Sequence, residues 1–157
     1  KRGLTELNPE KVNLNEIVLS VINICRETLT DKGITLKNEI PDDIYLTADK
    51  QKLESILRNL ISNAMKFTRT GGCVTLSAKR TNEYLEISVK DTGIGMSEKI
   101  INDLFHIDKM TGRTGTAGET STGLGLLLCK EFVEKHNGKL SVTSEVEKGT
   151  EFIVKLP

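Results

Sequence analysis

The sequence has no stretch approaching the ~18 consecutive apolar residues of a membrane span, and it does not open with the pattern of a secretory signal. It has no excess of charge of either sign. Lys and Arg number 22 against 22 Asp and Glu, so the broad basic face that nucleic acid selects is not expected. It has no cysteine pairs. Cys25, Cys73 and Cys129 are odd in number, far apart and outside any Cys-x-x-Cys, which argues against a disulfide framework or a zinc site and for reduced, buried thiols. It also lacks both common nucleotide fingerprints, G-x-G-x-x-G and G-x-x-x-x-G-K-[ST].

What is present is the material of one folded domain. Its 157 residues, 37% hydrophobic and 28% charged, can bury a full core and do not read as disordered. The chain opens on Lys1 rather than Met, so a longer protein is expected. This part of it is expected in a reducing, cytoplasmic setting, with a membrane anchor elsewhere left open.

Residues 1–11 are polar, carry Gly3 and Pro9, and read as a linker, with the folded domain spanning 12–157. Asn13, with Glu16 three positions on, is a helix-opening cap. Leu14, Ile17, Val18, Val21, Ile22, Cys25 and Leu29 then recur at helical spacing until Gly33. Ile34–Ile40 and Ile44–Thr47 read as strands. Asp49 caps a second helix, from Lys50 to the neighbourhood of Thr68, with an apolar stripe at Leu53, Ile56, Leu57, Leu60, Ile61 and Ala64. Arg69–Gly72 ends it with turn chemistry. Val74–Lys79 and Tyr84–Val89 alternate as a hairpin. Ser97 caps a short helix reaching Phe105. From His106 to Thr122 the chain is rich in Gly and Thr, too long for a routine connection and of the length of a lid. A further helix runs to Gly138, and Leu140–Val142 and Phe152–Leu156 close the domain as strands. Helices alternating with hairpin-linked strands predict an α/β fold: a two-layer sandwich with a mixed sheet and helices on one face.

Three stretches carry candidate chemistry. In "ISVKDTGIGM", Ile87 to Met96, an alternating strand ends on Asp91 and passes to Gly93-x-Gly95. An aspartic protease, a nucleotide site and a plain tight turn could each use those residues. In "LRNLISNAMKF", Leu57 to Phe67, Asn59 and Asn63 are four apart on a helix and share a face, with Lys66 one turn on. Two amide oxygens can ligate a hard cation and a lysine can hold a phosphate as a point charge; a solvated polar helix face explains the same pattern. Gly123-x-Gly125 opens a helix, where exposed N–H groups and the positive dipole end suit an anion, or where a tight turn simply needs glycine.

Taken in order, these motifs, with Lys148-Gly149-Thr150 before the last strand, resemble the catalytic ATP-binding domain of sensor histidine kinases. That family belongs to the GHKL ATPases, with gyrase, the heat-shock chaperone ATPase and mismatch-repair ATPases. The resemblance runs from Val12 to Pro157. It implies ATP/ADP and Mg²⁺ as ligands. Asp91 would accept a hydrogen bond from the adenine amino group, supported by Thr150, and Gly93 and Gly95 would let backbone pass close to the nucleotide. Phe67 would wall the adenine pocket. Asn59 and Asn63 would face Mg²⁺ and the phosphates, with Lys66 approaching the phosphates. Gly123, Leu124, Gly125 and Leu126 match the second glycine box, and Lys109 or Arg113 would close over the γ-phosphate.

In hydrolysing relatives the position of Asn59 is a Glu that activates water. An Asn cannot serve as a general base, so the resemblance implies slow hydrolysis and transfer of the phosphoryl group to a histidine, by positioning and charge neutralisation. That histidine would lie in a separate dimerisation and histidine-phosphotransfer domain, with relay to a response regulator receiver domain. His106 and His136, the two histidines of this chain, lack the His-Glu context of the family's acceptor, and His136 is read as a structural residue whose partly charged ring suits a helix end. After Phe105 the family's second lid aromatic is replaced by His106-Ile107-Asp108. The domain alone is expected to be a monomer and the longer protein a homodimer. An aspartic protease would need two such carboxylates, and there is one Asp-Thr-Gly. A degenerate nucleotide-binding interaction module and a serine-directed kinase of the anti-sigma-factor type stand as the competing readings.

Overall fold

The protein is described by a computed structural model, in which residues 6–105, 115–119 and 124–157 are described. The candidates Lys109, Arg113 and Gly123, and His106, lie outside the described residues.

The chain folds as two layers. Strands β2 (Thr35–Asn38), β4 (Cys73–Arg80), β5 (Leu85–Asp91), β6 (Lys139–Glu145) and β7 (Gly149–Leu156) form one sheet in the order β2-β4-β5-β7-β6. The sheet is mixed: β2 runs parallel to β4, and every other neighbour is antiparallel. Strict alternation gives it one apolar face. Val74 and Leu76 of β4, Leu85, Ile87 and Val89 of β5, and Phe152, Val154 and Leu156 of β7 are all buried, while the residues between them, Ile153 apart, carry hydroxyls and charges, such as Ser88 bonded to Glu151 at 2.6 Å. Helices α1 (Leu14–Lys32), α2 (Lys50–Phe67) and α4 (Leu124–Lys135) cover the apolar face, with α2 central because its stripe, including Leu53, Ile56, Leu57, Leu60 and Ile61, is fully buried. The short α3 (Glu98–Asp103) follows β5. The predicted architecture is therefore the one observed.

The capping residues read from the sequence act as caps. Asn13 Oδ1 accepts the Glu16 N–H at 3.0 Å and Asp49 Oδ1 that of Lys52 at 3.1 Å. Ser97 Oγ accepts from Ile100 at 3.3 Å, and Gly33 closes α1 with φ +70°.

Several details differ from expectation. The stretch read as a linker is partly sheet: Pro9–Asn13 forms β1, antiparallel to β3 (Tyr45–Asp49) in a separate two-stranded ribbon. A polar sequence with a proline hides an edge strand, because only one side of such a strand needs pairing. Asn137, not Gly138, takes the left-handed position after α4, with φ 61°. Gly138 is instead needed for space, since a Cβ there would collide with the Lys155 carbonyl oxygen. His136 is structural: its Nε2 accepts the Asp49 N–H at 3.0 Å, which leaves Nδ1 to donate to the Phe132 carbonyl at 2.8 Å. Cys25 and Cys129 are buried free thiols as expected, but Cys73, at the start of β4, is half-buried.

Candidate functional site

Asp91 is the last residue of β5 and falls on the buried side of its alternation, in register with Thr150 of β7. Both are buried polar residues among an apolar layer, 5% and 8% exposed. Such a carboxylate is costly unless hydrogen-bonded. Its Oδ1 accepts the N–H of Gly93 at 2.8 Å and that of Thr150 at 3.2 Å, which fixes the plane of the group. Thr150 is held in turn: its Oγ1 lies 2.7 Å from Ser144 Oγ, which also donates to the Gly149 carbonyl at 3.0 Å and accepts the Met96 N–H at 2.8 Å. Ser144 therefore ties β6, β7 and the segment after β5 into one unit.

The structure gives Gly93 and Gly95 reasons internal to the fold. A Cβ on Gly93 would collide with the Phe67 carbonyl oxygen, and one on Gly95, whose φ is +70°, with that of Glu145. The backbone around them is stitched to both neighbours. Ile94 N–H donates to the Phe67 carbonyl at 2.9 Å and Glu147 N–H to the Ile94 carbonyl at 2.7 Å. Arg69 reaches the carboxylate of Glu147 from outside, at 2.9 and 3.3 Å. Phe67 itself is buried, so the end of α2 and the turn after β5 form one wall around Asp91.

Asn59, Asn63 and Lys66 lie half-buried along α2. Among the described residues, neither Asn63 nor Lys66 has a side-chain hydrogen bond or ion pair. Asn59 faces α4. A Cβ on Gly125 would stand 3.0 Å from its Oδ1, and Cys129 lies one turn further along α4. The Cys129 thiol, fully buried, donates to the Ile56 carbonyl at 3.5 Å; burial pushes it up to about 12, with the Asn59 contact pulling slightly the other way. Leu124 and Leu126, grouped by the sequence motif, separate: Leu126 is 7% exposed and belongs to the core, whereas Leu124 is 56% exposed.

Asp91 thus lies beside the C-terminal end of α2, through the Gly93–Ile94 turn that is bonded to the Phe67 carbonyl, and the Asn59–Lys66 face runs back along that helix. A fixed, buried carboxylate can read a single hydrogen-bond donor, and two amide oxygens a turn apart can share a hard cation with a bound anion. No group of three or more His, Cys, Asp or Glu that could hold a metal occurs among the described residues. A magnesium ion would fit there only with one or two protein oxygens and the rest of its shell from a ligand and water, which is its usual habit. On the other side of the sheet end, an open groove of about 400 Å³ shares Asp91 and Thr150 and is lined also by Lys90, Lys148, Glu145 and Glu151. Its two lysines are outnumbered by the carboxylates of Asp91, Glu145 and Glu151, so it does not favour a polyanion.

Sequence reasoning missed Ser144, Gly125's contact with Asn59, and the partners of the α2 terminus. None has a local signature, because each acts through a residue distant in sequence.

The chain matches the family described as "Histidine kinase-, DNA gyrase B-, and HSP90-like ATPase" over residues 48–157. A curated relative, the adaptive-response sensory kinase SasA of Synechococcus sp. (strain CC9311), is 31% identical over 152 residues, covering 96% of this chain and 39% of the relative. The chain thus spans about two fifths of the length of that kinase. The nucleotide-free catalytic domain of histidine kinase ThkA superposes with a TM-score of 0.83 at 24% identity, over 96% of this chain and 97% of that one. Full-length ShkA in complex with AMPPNP gives 0.81 at 27% identity, over 97% of this chain and 31% of that one. ThkA solved with the response regulator protein TrrA gives 0.80 at 24% identity, over 96% and 42%.

Proposed function

The chain belongs to the histidine kinase-, DNA gyrase B- and HSP90-like ATPases, as the ATP-binding catalytic domain of a histidine kinase, and from that premise we propose that it holds Mg-ATP between Asp91 and the asparagine face of α2 and donates the γ-phosphoryl group to a histidine outside this chain. The observation that carries the site is the buried Asp91 carboxylate, locked by the Gly93 and Thr150 N–H groups. Adenine offers an amino donor to such an acceptor, and guanine offers a carbonyl at the same position, so the carboxylate selects adenine.

Phe67 and the turn at Gly93–Gly95 enclose the base, and Lys66 neutralises phosphate charge. Asn59 and Asn63 would hold Mg²⁺, which supplies neutralisation of charge on the phosphate oxygens when bound. The closeness of its oxygen to Gly125 at the start of α4 supports this role for Asn59. Because an amide takes no proton from water, water is activated poorly and the phosphoryl group survives for an acceptor histidine. Arg113 or Lys109 is assigned to the γ-phosphate as part of the same proposal. The acceptor would be a dimerisation and phosphotransfer domain of the longer protein. The onward partner would be a response regulator receiver domain, a role supported by the complex of ThkA with TrrA.

Calorimetric titration with ADP and GDP, with and without Mg²⁺, on the wild type and Asp91→Asn tests the site. ADP-selective binding that falls by about 100-fold in Asp91→Asn is expected, as for a site built around one buried hydrogen bond. The amide oxygen introduced by that substitution would still accept both backbone N–H groups, so the variant should fold. Equal affinity for ADP and GDP in the wild type would sink the reading. Addition of an acceptor domain with γ-labelled ATP tests the transfer.

A further inference from the structure

Lys32, the last residue of α1, has a side chain only 9% exposed. A buried ammonium is costly unless each of its protons is placed. Here all three are: Nζ donates to the Met65 carbonyl at 2.8 Å, the Lys66 carbonyl at 3.0 Å and Glu119 Oε2 at 2.8 Å. The two carbonyls belong to the last turn of α2, where no intrahelical N–H remains to meet them and the helix dipole favours a cation.

The Glu119 end is as closely held. The Gly115 N–H donates to the Glu119 carbonyl at 2.8 Å and the Gly118 N–H to the Gly115 carbonyl at 3.0 Å. Glu119 Oε1 accepts the Ala117 N–H at 2.8 Å. One carboxylate oxygen therefore closes its own turn while the other takes Lys32. Burial raises the Glu119 carboxyl, but Lys32 and the Glu119 and Ala117 N–H groups outweigh it and hold it below the usual range. The turn is sewn to α2 a second time through Thr116. Its N–H donates to the Lys66 carbonyl at 2.9 Å, and its Oγ1 bonds to the carbonyls of Lys66 at 3.3 Å and Thr68 at 3.0 Å.

Lys32 thus joins three segments: the end of α1, the end of α2 that carries Lys66 and Phe67, and the turn that precedes α4. If it were only a cap for α2, the carbonyl contacts would suffice. The ion pair to Glu119 adds a link to a turn that Thr116 also bonds to the end of α2. We propose that Lys32 and Glu119 are positioning residues for the phosphate half of the nucleotide site, setting the end of α2 and the 115–119 turn at a fixed spacing without touching the ligand. The proposal rests on the nucleotide-binding reading above.

The test uses the whole chain with Lys32→Met, Lys32→Arg and Glu119→Gln. Thermal melts accompany titrations with Mg-ADP and with adenosine, which lacks the phosphates. Lys32→Met and Glu119→Gln are expected to weaken Mg-ADP by about tenfold, the scale of one buried charge-assisted hydrogen bond, and adenosine by less than about twofold. Lys32→Arg, which keeps the charge and the donors, should restore most of the loss. A fall in melting temperature with both affinities unchanged, or an equal loss for both ligands, would overturn the proposal and leave Lys32 as a cap. If Lys32→Met does not fold, Glu119→Gln decides alone, since it retains the acceptor for Ala117. A wild type that binds neither ligand would remove the nucleotide site itself, an outcome distinct from binding with an unaltered ratio in the variants.

Discussion

Gly125 on α4 lies against the side-chain oxygen of Asn59 on α2, so closely that an added methyl carbon would stand 3.0 Å from Oδ1 and 3.4 Å from Cγ. The object met is a side chain rather than backbone, so it can yield. Gly125→Ala should therefore leave the fold intact, because alanine's helix propensity, up to about 1 kcal/mol better than glycine's, offsets the crowding. The displaced Asn59 would lose its alignment for a cation. Melting temperature is expected to change little while Mg-ADP affinity falls by about tenfold and Mg-free ADP affinity holds, on the premise that orientation of the oxygen matters more than its presence. Calorimetry in magnesium and in EDTA checks it. An equal loss in both buffers would place the damage in general packing instead.

The layout of this site was readable where chemistry and periodicity coincide. Asp91 ends a run in which Leu85, Ile87 and Val89 alternate inward, so its burial follows from counting by twos along the strand. Asn59 and Asn63 fall together by counting by fours along α2. Residues that act through distant partners were not readable. Lys32 looks like any basic residue in a last helical turn until α2 is placed beside it, and Ser144 like any strand serine until Met96 and Thr150 arrive. The glycines were recognised as special for a partly different reason: Gly93 and Gly95 are required by the carbonyls of Phe67 and Glu145 whether or not a ligand is bound.

Thr68 offers a case where chemistry and stability should part. It is fully buried, and its Oγ1 has no hydrogen-bond partner among the described residues. Valine has nearly the same shape and no hydroxyl to desolvate. Thr68→Val is predicted to be neutral or to stabilise the chain by about 1 kcal/mol, because removing an unsatisfied polar group recovers its desolvation cost. Chemical denaturation measures this directly. A loss of more than about 1 kcal/mol would mean that water satisfies the hydroxyl in solution. A simultaneous loss of ADP affinity would extend the nucleotide site to this residue.

The three thiols should react in a fixed order. Cys25 and Cys129 are buried, and burial raises both, Cys129 to about 12; Arg58 pulls Cys25 only partly back. A raised thiol holds its proton, so at about pH 8 almost no thiolate exists at Cys129, and the reagent has no path to it. Cys73, half-buried at the start of β4, lacks that enclosure. Labelling with a thiol reagent in the native state is expected to modify Cys73 alone, and the other two only after denaturant is added. The same shift has a stability consequence. With its folded pKa above the unfolded one, Cys129 contributes stability that is intact below about pH 8.5 and declines as pH climbs toward 12. Cys129→Ser should flatten that alkaline decline. Rapid native labelling of Cys129 would show instead that α4 opens away from Ile56 and Asn59, and the geometry around the asparagine face would then be one state among several.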